Sequence, residues 1–438
     1  MAEPPKEVMS DLLDYTKNSY RATACKSLRV KSPAQNGATF SPSNQIIFRF
    51  PQGVRNTFLD GESLYIRVPL KVTAGAAAKS AFLEGSCGAY SFFNKIEILS
   101  DSQTISSIQN YAELMSVFSD LEASPSAKDN RLNLMHGMKS TRFAGMNLST
   151  AAAGDDVEYT FCLPLHLTLF TTAQHYIPLF SRSNIEIRIT LNSAQKMFRT
   201  VAASPVASAD ITINSPELVY YQVELNQQAF DIINNNCNGQ YMLNVKDFRN
   251  VQYSTAALPA GSAVTHNLPF SSSSLESVFV AILPQASHSS TVLASCSNRS
   301  AGIGDFNLNL NGEYIPARKI VGNAYGECMA ELAIRERVLT TFHTPSSINN
   351  SNGTFKLVNP AGDGNDTVGS YVLCVDTENM RNKDANELFS GVGTIGGTLV
   401  AEWTVSENIN ASDVLYYSSS TINLQLDMNA SQVFVVSF

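Results

Sequence analysis

Charge is scarce in this sequence. Charged residues occupy 16% of the 438 positions, against about 25% in an average soluble domain, while 44% of the residues are apolar. That ratio excludes a disordered chain and a coiled coil and leaves much surface to bury. Basic residues are outnumbered, with 30 Lys and Arg against 38 Asp and Glu and a net charge of -8. A whole-surface grip on nucleic acid is thereby excluded, and any basic function has to be local. No apolar run approaches the roughly 18–20 residues that span a bilayer, and the opening MAEPPKEVMS lacks an apolar signal-peptide core. The expectation is a chain kept in a reducing compartment and not secreted. At this length two large domains, or one repeated, are expected, because single cores stop growing beyond about 250–300 residues.

Cysteine is present without a pattern. The seven residues Cys25, Cys87, Cys162, Cys237, Cys296, Cys328 and Cys374 are odd in number and widely spaced, with no C-x-x-C. They read as thiols, several of them buried, rather than as a disulfide framework or a zinc site. Catalytic signatures are missing too: there is no G-x-S-x-G, H-E-x-x-H or P-loop. The six histidines, His136, His166, His175, His266, His288 and His343, contain no pair at helical spacing. Gly391-Val392-Gly393-Thr394-Ile395-Gly396 matches G-x-G-x-x-G, but it leads into a strand instead of opening a helix, which reads as a glycine-rich turn. Asp155, Asp156 and Glu158 form the densest carboxylate group; adjacent residues on a strand point to opposite faces, so Asp155 and Asp156 are poor catalytic partners. Asp363-Gly364-Asn365-Asp366 lacks the downstream Glu of an EF-hand and reads as a polar turn. Trp403, the single tryptophan, sits in the apolar run TLVAEWTV as a core or interface residue. No catalytic, cofactor-binding or metal-binding residue is assigned, and the chain is not expected to be an enzyme.

What the sequence does contain is short alternating segments. QIIFRF (45–50), LYIRVPLKV (64–72), FNKIEIL (93–99), 157–165, IEIRITL (185–191) and 218–223 read as half-buried antiparallel strands in the first half. In the second half the strands are 250–253, 264–270, VFVAIL (278–283), FNLNL (306–310), 354–358, 371–375, TLVAEWTV (398–405), 422–426 and 433–436. Turn clusters at 344–354 and 359–367 separate some of them. Three internal segments, 110–121, 226–234 and 323–338, read as helical, and 6–20 reads as a short amphipathic helix. After it, Lys17, Arg21, Lys26, Arg29 and Lys31 occur with no acidic residue between them, the one pronounced charge asymmetry.

The halves repeat. Tyr111, Glu113 and Met115 fall on Tyr325, Glu327 and Met329 at an offset of 214, and Ile185–Leu191 falls on Leu399–Val405 at the same offset. An offset near half the length implies two copies of one β domain. Eight or so strands and one inserted helix per copy suit a jelly roll. The expected architecture is all-β: two tandem eight-stranded jelly-roll sandwiches with a few short inserted helices and an N-terminal helical arm. The expected divisions are an arm over 1–31, a first jelly roll over 32–225, a connecting helix over 226–236 and a second jelly roll over 237–438.

The stretches FFNKIEILSDSQTISSIQNYAELM, FCLPLHLTLFTTAQHYIPLFSRSNIEIRITLN, SYVLCVDTENM and LFSGVGTIGGTLVAEW resemble double jelly-roll major capsid proteins of the adenovirus and tailless-phage lineage, above all those of polinton-like viruses and virophages. The resemblance implies a homotrimer forming a pseudo-hexagonal capsomer that tiles an icosahedral shell around a DNA genome. It further implies contacts with penton and minor or cement capsid proteins, and places Lys17, Arg21, Lys26, Arg29 and Lys31 on the inner side, towards an internal membrane or the genome. Synthesis would be in the host cytoplasm or nucleus, and the protein's place would be the virion. The alternative reading is a tandem β-sandwich that binds carbohydrate or processes glycosides, which would require two facing acids and exposed aromatics in a cleft.

Overall fold

The computed structural model describes residues 25–51, 56–101, 103–141, 145–173, 175–179, 184–200, 204–286, 296–340, 369–379, 390–427 and 433–436. The first half supplies strands β1 (Cys25–Pro33), β2 (Thr39–Phe40), β3 (Gln45–Arg49), β4 (Thr57–Thr73), β5 (Phe93–Ser100), β6 (Gln103–Gln109), β7 (Asp156–Pro164), β8 (Ile177–Pro178), β9 (Ile185–Leu191), β10 (Ile211–Asn214) and β11 (Glu217–Leu225). Its helices are α1 (Tyr111–Glu122), α2 (Pro125–Asp129), α3 (Arg131–His136), α4 (Leu169–Thr172) and α5 (Ala194–Met197). Helix α6 (Gln227–Asn236) precedes β12 (Gln240–Thr255), β13 (Ala263–Leu268), β14 (Leu275–Pro284), β15 (Ile303–Leu310), β16 (Glu313–Val321), α7 (Tyr325–Arg335), β17 (Leu373–Asp376), β18 (Leu399–Val405), β19 (Ser412–Asp427) and β20 (Val433–Val436).

Side-chain alternation explains the strands. In β4, Leu64, Ile66, Val68, Leu70 and Val72 are buried, while Tyr65, Arg67, Pro69 and Lys71 between them are half-buried on the other face. Ile185, Ile187, Ile189 and Leu191 do the same in β9. Burying each such side chain contributes about 1.5–3 kcal/mol, and a slip of one residue would turn the whole set outwards. β14 differs: every residue from Leu275 to Leu283 is buried, so its continuous apolar run marks a strand covered on both faces.

Pairing is antiparallel throughout the named strands and repeats between the halves. One sheet of the first half runs β1-β11-β4-β7, with β8 and β10 also on β4 and β2 on β10, and the other runs β3-β9-β5-β6. The second half repeats this as β12-β19-β14-β17, with β20 on β19, and β13-β18-β15-β16. Eight strands thus recur in the same pairing order, which is the strand order of a jelly roll made twice. The sequence repeat maps onto it: Tyr111 and Tyr325 open α1 and α7, each directly after a hairpin, β5–β6 or β15–β16. The two strands related by the 214-residue offset, β9 and β18, occupy the same place in their sheets.

Several expectations change. The first sheet begins at Cys25, because β1 pairs with β11 residue for residue from Cys25–Leu225 to Pro33–Glu217; the span 25–31 therefore stands in a sheet. Its signal was weak, since only Leu28 and Val30 are apolar there. Four short helices, α2 to α5, join the three expected, and local caps set two of them: the Ser124 side chain accepts from Ala127 N at α2, and Gly137 turns left-handed (φ +72°) to end α3. β6, β10 and β16 are further strands without an apolar alternation long enough to read. The expected helix 6–20 and strand 354–358 lie outside the described residues.

Gly61 lies where β4 bends past α4. A Cβ there would stand 2.0 Å from the backbone oxygen of Phe170, which cannot swing aside as a flexible side chain would. Gly61→Ala is expected to lower the unfolding free energy by about 1–3 kcal/mol, measured by urea denaturation. An unchanged midpoint would mean that α4 yields at no cost.

Candidate functional site: the joint between the two rolls

Helix α1 has an unusual environment for a helix inserted in a loop. Tyr111 to Leu121 are all buried, including Glu113, Ser116, Ser119 and Asp120. One side lies on its own roll, where Tyr111 meets Tyr90 edge-on. The other side lies on the second roll: the Phe118 ring is 5.5 Å from Phe248 of β12 and 5.4 Å from Phe279 of β14. The Arg335 guanidinium of α7 covers both rings of the Phe118–Phe279 pair, at 5.8 and 5.0 Å, a cation–π arrangement.

The polar side chains of α1 meet partners across this joint. Asp120, 1% exposed, accepts from Lys128 Nζ at 2.7 Å and from Arg299 NH2 at 2.6 Å. Lys128 is 0% exposed and Arg299 1%. Arg299 also donates to Ser116 Oγ at 2.6 Å and to Ser370 O at 3.4 Å, and Ser116 Oγ reaches Cys296 O at 3.0 Å. One carboxylate thus holds a cation from each roll in a site that water barely reaches. Asn110, which caps α1 in the left-handed region (φ +49°), is held from the second roll as well as by α1: its side-chain amide donates to Asn250 and Gln252, and its carbonyl accepts from Tyr417 Oη at 3.0 Å and from Leu114 N at 3.1 Å. Ser106 of β6 donates to Asp247 of β12 at 2.7 Å; burial lifts that carboxyl above its ordinary pKa, against the pull of Arg249. Lys196 pairs with Glu113 at 3.0 Å, and that carboxylate raises the ammonium's pKa.

The residues singled out in the sequence fall elsewhere. Lys17 and Arg21 lie outside the described residues. Lys26, Arg29 and Lys31 are exposed on β1; Arg29 donates to Tyr65 Oη at 2.5 Å, and Lys31 shares Glu217 with Arg67 at 3.6 and 3.2 Å. Exposed pairs of this kind contribute little, about 0–1 kcal/mol. Asp156 and Glu158 both reach Lys71, at 2.6 and 3.5 Å, and Asp155 accepts from Ala152 N in the preceding turn. Trp403 is 3% exposed and donates to Tyr416 Oη at 3.0 Å, so it is a core residue. Gly391 packs against Leu275, where a Cβ would stand 2.5 Å from a backbone oxygen, and the loop enters β18. Among the described residues no helix is long and apolar enough to cross a membrane.

Sequence spacing gave no sign of one cluster. His136 and His166 flank Tyr90, with ring centroids 5.1 and 6.1 Å away, at a cavity of about 500 Å³ beside α1 and α3. Burial, then the neighbouring His166 and Arg131, push the pKa of His136 down to about 3, and burial lowers that of His166.

These elements define a double jelly-roll chain whose halves are joined through a buried charged core. Residues 62–226 match the family model described as the major capsid protein N-terminus. The fold is similar to the PBCV-1 virus capsid (TM-score 0.63, 10% identity, 97% of this chain and 99% of that one). It is also similar to the Faustovirus major capsid protein (0.61, 9%, 96% and 93%) and to the Sputnik virophage structure (0.61, 14%, 99% and 93%). No curated protein matches the sequence. Residues 62–226, which lie in the first roll and its edge, thus match the N-terminal part of a major capsid protein, and the chain as a whole shares its fold with these viral capsid structures.

Two outcomes are expected. Asp120→Asn removes the charge facing Lys128 and Arg299 and should lower stability by about 3–5 kcal/mol, read from chemical denaturation; a change under about 1 kcal/mol would contradict the joint's importance. The unfolded chain protonates His136 near pH 6.5, whereas the folded one resists until about pH 3, so stability falls as pH drops through that window. Between pH 7 and 5 the loss from His136 is about 2 kcal/mol, and His136→Phe should remove it from a urea titration at the two pH values.

Proposed function

We propose that this chain builds a viral shell and that three copies close into a pseudo-hexagonal capsomer. The observation that carries the proposal is the inequality of the two equivalent helices. α1 is buried along its length between its own roll and the second roll of the same chain, whereas α7 buries only Cys328 and Leu332. On α7, Tyr325, Met329 and Ile334 remain half-exposed, Leu339 just beyond it is 55% exposed, and Tyr314 at the start of the preceding β16 is 46% exposed. A first roll from a second copy, set against α7 as the second roll is set against α1, would cover that face. Repeating the step closes a ring of three chains and six similar rolls, since closed cyclic association buries the same patches on every subunit.

In this reading the capsomers tile an icosahedral shell around a DNA genome and meet penton and minor or cement proteins at their rims. The segment carrying Lys17, Arg21, Lys26, Arg29 and Lys31 faces the interior, towards genome or membrane. The chain is made in the host cytoplasm or nucleus, acts in the virion and has no enzymatic role. The divisions at 225 and 236 are proposed as the limits of the first roll and the connecting helix, and the arm is proposed to end where β1 begins at Cys25, short of the expected 31. The carbohydrate reading loses support from the buried Trp403.

Light scattering coupled to size exclusion tests the assembly. A mass of about three times 47.5 kDa is expected, with Tyr314→Asp/Leu339→Asp reduced to the single-chain mass at an unchanged Tm. A wild-type monomer at all concentrations would overturn the capsomer reading.

A further inference from the structure

We propose that Glu84, Cys87 and Cys296 form a site for a soft divalent cation such as Zn²⁺ that bridges the two rolls. Glu84 and Cys87 lie in the first roll, before the 3₁₀ turn Gly88–Phe92, and Cys296 lies in the second roll, just ahead of β15. All three are buried, and one ligand atom from each lies within 4.8 Å of the others. Tetrahedral zinc with bonds of about 2.0–2.3 Å sets its ligand atoms about 3.3–3.8 Å apart, so a contraction of about 1 Å completes the geometry. The approach is already braced: Glu84 Oε1 accepts from the Cys296 backbone N at 3.0 Å, and Cys87 Sγ lies 3.9 Å from Glu84 Oε2.

A second observation points at a ligand. Glu113 of α1 is 2% exposed, and its Oε2 has no hydrogen-bond partner, although Oε1 is paired with Lys196. The backbone oxygen of Lys196 is in turn 3.9 Å from Cys296 Sγ. Glu113 is thus tied to the cluster through Lys196, whose ammonium it holds and whose backbone oxygen neighbours the Cys296 sulfur. Metal binding forms two metal–sulfur bonds and releases the two thiol protons to solvent, one cation of charge +2 replacing two of +1. The net charge of the buried site is unchanged, which removes the usual penalty for bringing a cation into a dry interior.

The test uses the full chain, purified in reductant, stripped with chelator and titrated with Co²⁺ and then Zn²⁺. One equivalent per chain, a thiolate-to-cobalt charge-transfer band, its displacement by Zn²⁺ and a Zn²⁺-dependent rise in Tm are expected. Cys87→Ser and Cys296→Ser should each abolish the band, and Glu113→Gln should weaken binding by about tenfold or more. Native mass spectrometry of the wild-type chain gives a readout independent of how the variants fold. Absence of a band and of bound metal would overturn the proposal, as would a band that survives in both cysteine variants. A Cys87–Cys296 disulfide mapped in the freshly isolated chain would overturn it as well.

Discussion

The structure depends on one carboxylate placed where carboxylates are seldom tolerated. Asp120 sits between Lys128 and Arg299 at 2.7 and 2.6 Å, all three essentially without exposure. Removing an ion from water costs several kcal/mol, and only close opposite charge with further hydrogen bonds offsets it. The arrangement therefore holds only while the second roll presents Arg299 to the first. Two sandwiches that each have their own eight-stranded core are in this way made dependent on one another.

The apolar surroundings add to the constraint. Phe118 packs on Phe248 and Phe279, so α1 belongs as much to the core of the second roll as to its own. That is why β14 is buried on both faces and reads as an unbroken apolar run. Even in a sequence so poor in charge, five charged residues lie buried at this joint: Glu113, Asp120, Lys128, Asp247 and Arg299. A shell protein needs subunits whose halves keep a fixed angle, and a joint of this kind fixes one.

How far the sequence discloses this varies by element. Strands such as β4, β9 and β18 are legible because each has one buried face and a period of two. β1 and β6 are not, since CKSLRVKSP and QTISSIQ carry few apolar residues and owe their conformation to the neighbouring strand. The doubling of the fold is legible from Tyr111, Glu113 and Met115 against Tyr325, Glu327 and Met329. The joint is not: Asp120 and Arg299 stand 179 positions apart, and nothing local in SVFSDLE or SNRSAG tells that the two residues meet. The cysteine cluster is hidden for the same reason, because spacing patterns detect only ligands supplied by one stretch of chain. The basic segment, read from charge alone, divides in the structure between β1 and residues outside those described.

The central claim is that the two rolls form one cooperative body. Differential scanning calorimetry of the wild-type chain, followed across the transition by hydrogen exchange in β4 and in β14, tests it most directly. The account predicts a single transition in which both strands lose protection together. Two separable transitions, with β14 opening while β4 stays protected, would contradict it.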